Sequence, residues 1–146
     1  MKRLLRLKPI WAFAVYALLD TVCAGMGMGV PFFCILLGFP AGWYIARLVI
    51  QENAGIRPML RKPLRYAIFY SLFTVALMAA IWGMTVPMLF NPSADLANFG
   101  IPMILYEPRA SFIGWLVLMI FVSPLLQLLA TVFGTYVTLS VWAKES

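Results

Sequence analysis

The sequence predicts an all-α, polytopic integral membrane protein with four transmembrane helices. Three observations predict it. Hydrophobic residues make up 64% of the 146 positions and charged ones only 11%. The apolar residues fall into four runs, each long enough for the ~20 residues that a crossing helix needs. The basic residues gather at alternate ends of those runs. A soluble chain of this size would need far more polar surface, so residues 1–146 read as a single transmembrane domain embedded in the lipid bilayer.

The first segment runs from Ile10 to about Gly27 and the second from Val30 to Ile50. Between them stands GMGMGVP. Gly25, Gly27 and Gly29 permit the left-handed conformations of a reversal, and Pro31 suits the first turn of a following helix, so the two segments form a tight hairpin. The glycine run is no nucleotide loop, because no strand precedes it. A cleaved signal peptide is also disfavoured: Asp20 interrupts the apolar region, and Val22 before Cys23 makes a poor lipoprotein cleavage site.

Residues 51–65, QENAGIRPMLRKPLR, carry two prolines and dense charge, and are expected to be a cytoplasmic loop. The third segment is Tyr66 to Phe90. An outer loop over 91–110 follows, opened by Asn91-Pro92 and containing IPMILYEP, which is apolar but too short to span and so is expected to lie on the membrane or to cover the bundle. The fourth segment, Ser111 to Trp142, measures about 48 Å as a straight helix against about 30 Å of hydrocarbon. A kink at Pro124, tilt, or projection beyond one face absorbs the excess.

Orientation follows from the cations. Lys2, Arg3, Arg6 and Lys8 precede the first segment, Arg47 through Arg65 surround the second connection, and Lys144 follows the fourth, while Arg109 alone falls on the opposite side. Positive charge stays in the cytoplasm, which places both termini there and the chain in the cell membrane. Trp11, Trp43, Tyr44, Tyr66 and Trp142 at inner ends, with Trp82, Tyr106 and Trp115 at outer ends, agree. The net charge of +6 does not form an aromatic-interleaved stripe, which excludes nucleic acid as a partner.

Histidine is absent and only Cys23 and Cys34 are present, so no metal site and no cofactor are expected. The two cysteines lie at nearly equal height across the hairpin and read as buried free thiols in preference to a disulfide. No nucleophile, acid and base are tied together by a motif, so an enzyme is not expected.

Several polar residues lie inside the apolar runs. Asp20 costs on the order of 3 kcal/mol within a bilayer unless paired, hydrated or protonated. With the hairpin tip at Met28, Arg47 lies about 16 Å too far toward the cytoplasm, whereas Leu36 faces Asp20. Pro40 donates no hydrogen bond to the Leu36 carbonyl, so a protonated Asp20 is expected to donate there. Its own helix face, with Tyr16, Ala17, Cys23 and Ala24 and then Gly27, is mostly small and is expected to pack closely on another helix. Gly38, Gly42 and Ala46 form a small-residue seam fit either for packing within the chain or for dimerisation. Ser123, Gln127, Thr131 and Thr135 follow at four-residue steps along one face. With Asp20 they mark either an ion or substrate path or a set of interhelical hydrogen bonds.

These features suggest a small transport or permeation protein built around Asp20 and the polar stripe, acting as a homo-oligomer with Gly38 and Gly42 as the candidate contact. The competing reading is a non-catalytic accessory or assembly subunit bound to other membrane subunits.

Overall fold

A computed structural model describes residues 8–25, 32–51, 56–101 and 103–145. It is all-helical: α1 (Pro9–Gly25), α2 (Phe32–Gln51), α3 (Ile56–Gly83), a 3₁₀ turn (Val86–Phe90), α4 (Pro108–Val117), a π segment (Leu118–Val122) and α5 (Ser123–Glu145). Three stretches are long and apolar enough to cross a membrane: Phe32–Gln51, Arg61–Gly83 and Pro108–Ala143. The apolar α1, with 17 residues, is shorter. Leu18, Phe33, Leu72, Phe121, Leu129 and Phe133 all expose large apolar side chains outward, as a helical bundle in lipid does.

The boundaries correct the sequence reading in two places. The loop expected over 51–65 is helical from Ile56 onward. Charge there forbids lipid but not helix, and Pro58 falls in the first turn of α3, where no N–H is needed. Pro63 is accommodated inside the helix, almost fully buried. The third segment stops being α-helical at Gly83, not Phe90. Pro87 cannot donate back to the Gly83 carbonyl, and the Thr85 hydroxyl donates to the Trp82 carbonyl at 2.7 Å, closing the turn.

In the fourth segment α4 and α5 form one continuous rod from Pro108 to Ala143, 36 residues long. The expected Pro124 disturbance takes the form of a π segment just before it, in which the Ser123 N–H donates to the Leu118 carbonyl. The wider turn accommodates a proline that can neither donate to Ile120 nor pack its ring against that carbonyl. The freed polarity is used elsewhere: Ser71 of α3 donates its hydroxyl to the Pro124 carbonyl at 2.9 Å.

The tightest packing joins α2 to α5. A Cβ on Gly38 would lie 2.7 Å from the Gln127 carbonyl oxygen and one on Gly42 only 2.3 Å from that of Thr131, so both positions require glycine. Gly134 returns the contact against Phe39. The seam of Gly38, Gly42 and Ala46 is therefore filled within the chain, and α5 covers it against any second copy. By contrast α1 docks through aromatics. Phe13 and Tyr16 pack on Phe69, Tyr70 and Phe73 of α3, with the Tyr16 and Tyr70 ring centroids 4.4 Å apart. Of the face expected to pack closely on another helix, Tyr16 and Asp20 are buried, Ala17, Cys23 and Ala24 are half-buried, and Gly27 lies outside the described residues; at Gly25, which is exposed, a Cβ would meet nothing within 4 Å.

Residues 91–107 divide in two. Leu96, Phe99 and Ile101 cover the bundle end by packing on Phe112, Leu116 and Trp82. Met103, Ile104, Leu105 and Tyr106 are instead exposed. Glu107 caps α4, its carboxylate accepting from the Ala110 N–H.

Candidate functional site

Asp20 is completely buried, at the point where α1, α2 and α3 meet. The partner expected for it is corrected. Leu36 and Pro40 both lie on the exposed face of α2, so the carbonyl freed by Pro40 is not what Asp20 meets. Cys34 reaches its backbone instead, with Sγ 4.0 Å from the Asp20 carbonyl oxygen. The hairpin is thus set about two residues away from the register expected from a tip at Met28. The tip itself, with Gly27, Gly29 and Pro31, lies outside the described residues; Gly25 ends α1. Cys23 and Cys34 are both free thiols. Arg47 lies over the Trp43 ring, 5.6 Å from its centroid.

The side-chain partner of Asp20 comes from α3. The Thr74 hydroxyl donates to Asp20 Oδ2 at 2.6 Å and stands 2.8 Å from the Tyr16 hydroxyl and 3.3 Å from the Tyr70 carbonyl oxygen. Gln127 of α5 donates its amide to the Tyr16 hydroxyl. Since Tyr16 then has only its own proton to give, the donors run in one direction: Gln127 to Tyr16, Tyr16 to Thr74, Thr74 to Asp20. Three helices therefore contribute to a buried chain that ends on a carboxylate. Asp20 Oδ1, Gln127 Oε1 and Ser123 Oγ have no partner among the described residues, although all three are fully buried. Groups of that kind are costly in a core unless they have a task.

Of the residues singled out in the sequence, Asp20 and Gln127 are brought into one network. Ser123 is buried one turn from Gln127. Thr131 and Thr135 are buried lower on the same face, where Thr131 donates to the Gln127 carbonyl at 2.9 Å and Thr135 stands 2.8 Å from the Thr131 carbonyl and 3.1 Å from that of Gly42. Those hydroxyls serve the α2–α5 seam. Tyr16 and Thr74, which hold the network together, carry no motif. The available signal was their placement: a hydroxyl four residues before Asp20, and a threonine in the middle of the apolar run FYSLFTVAL. Among the described residues, no three of His, Cys, Asp and Glu converge as metal ligands.

Comparison of the chain with protein-family models, with curated proteins and with solved structures found no match.

Proposed function

We propose that this chain is a small four-span permeation or transport protein with both termini in the cytoplasm, in which Asp20 reversibly takes up a proton within the bundle. One observation carries the reading. The Thr74 hydroxyl stands between two acceptors, the Asp20 carboxylate and the Tyr70 carbonyl. With Asp20 ionised, Thr74 donates to it. With Asp20 protonated, the acid donates to Thr74, which turns its own proton to Tyr70 and still accepts from Tyr16. Rotation of a single hydroxyl thus keeps Asp20 Oδ2 paired in both states without moving a helix, and a buried intramembrane acid with this freedom is the usual mark of a proton pathway. The buried unpaired oxygens of Asp20 and Gln127 extend the polar region toward Ser123. The positive-inside bias of the cations supports the orientation.

The test is reconstitution. Wild-type protein in liposomes should carry a proton or monovalent-cation flux under an imposed gradient, and Asp20→Asn should fall to the background of empty vesicles. Equal flux from both overturns the reading.

A second reading, an accessory subunit of a larger membrane complex, is favoured by the closed α2–α5 seam, which leaves the glycines unavailable for a homodimer pore. Recovery from mild detergent only together with other subunits, and no flux alone, supports it.

A further inference from the structure

The structure holds a second feature that makes no use of Asp20. Along α3, beside its aromatic contact with α1, runs a groove of about 540 Å³ lined by Lys62, Arg65, Tyr66, Ile68, Phe69 and Leu72. Its chemistry is graded. Lys62 and Arg65 stand exposed at one end; Ile68, Phe69 and Leu72 present exposed hydrocarbon at the other, with Tyr66 between. The gradient follows from the sequence of α3, in which all the charges fall within the first ten of 28 residues and lead without a break into an apolar remainder.

The dimensions match one molecule type. From Lys62 to Leu72 the helix rises about 15 Å, of which about 9 Å lies below Tyr66, so the groove runs from head-group height into the upper part of one leaflet's ~15 Å of hydrocarbon. Two cations at interface height suit a phosphate-bearing head group, and the apolar length below them suits its acyl chains. Tyr66, an amphipathic ring at the boundary, suits the glycerol level. We infer that this groove is a binding site for an anionic phospholipid of the leaflet on the Lys62 side, its phosphate held by Lys62 and Arg65 and its chains lying on Ile68, Phe69 and Leu72. A peptide or soluble anion would leave one half of the gradient unmatched. The site is independent of proton uptake at Asp20.

The test uses the full chain in mild detergent, with thermal unfolding read against added lipid. Phosphatidylglycerol should raise Tm in a saturable, concentration-dependent manner, because a ligand bound only to the folded state stabilises it by mass action. Phosphatidylcholine with the same chains should not. The double variant Lys62→Gln/Arg65→Gln, altered only at exposed positions, should bind phosphatidylglycerol about 30-fold more weakly. Arg47→Gln, at a cation outside the groove, should keep the wild-type response. Equal stabilisation by the two lipids, an unchanged affinity in the double variant, or an equal loss in Arg47→Gln would each overturn the assignment. So would a comparable shift from glycerol phosphate alone, which would show that the apolar half is not used.

Discussion

The Thr135 hydroxyl of α5 lies 3.1 Å from the Gly42 carbonyl oxygen of α2, and a Cβ on Gly42 would stand 2.8 Å from the Thr135 backbone nitrogen. Two helix backbones at this separation exclude any side chain between them. Gly42→Ala should therefore destabilise the folded protein by about 1–3 kcal/mol, since backbone rather than a flexible side chain must yield. Gly25→Ala, where a Cβ meets nothing within 4 Å, should stay within about 0.5 kcal/mol of wild type. Denaturant titration in mixed micelles compares the two.

Thr74 serves three acceptors or donors at once. Thr74→Val keeps its shape but leaves the buried Asp20 carboxylate and the Tyr16 hydroxyl without that partner, and should cost about 1–3 kcal/mol. Thr74→Ser should recover most of it. Loss of stability in both variants to the same extent would show that the methyl group, not the hydroxyl, is what matters.

The bond between Gln127 and Tyr16 ties α5 to α1 across the longest sequence separation in the network. A double-mutant cycle with Tyr16→Phe and Gln127→Met should give a coupling of about 0.5–1.5 kcal/mol, the scale found for hydrogen bonds within membrane bundles. A coupling of zero would remove Gln127 from the Asp20 network.

Both cysteines should titrate as thiols without reductant. Cys34 is only 2% exposed while Cys23 is half-buried. In micelles a thiol reagent should therefore modify Cys23 first and Cys34 only after denaturation, and Cys23→Ser should abolish the early phase.

Much of the helical plan was legible because apolar run length is a strong signal, and the same holds for the buried polar face of α5, where four-residue spacing placed Ser123, Gln127, Thr131 and Thr135 together. What failed did so for physical reasons. Prolines at 58 and 63 were taken as helix breakers, although the first sits where a helix start needs no donor. A π segment before Pro124 depends on how the whole rod packs. The partner of Asp20 was sought across the hairpin, on the nearest element in sequence, but the α2 residue that reaches Asp20 is Cys34 and not Leu36. The hydroxyl that Asp20 meets arrives from α3, 54 residues away. Such a contact follows from tertiary packing and leaves no local trace.

The most direct measurement is the infrared spectrum of wild-type protein in lipid, minus that of Asp20→Asn, as the pH of the medium is stepped up and back. The expected result is a protonated-carboxyl band that is absent in Asp20→Asn, disappears as pH rises and returns when the step is reversed. A carboxyl signal that does not respond to the step in either direction would contradict proton uptake at Asp20 and leave it a sealed structural group.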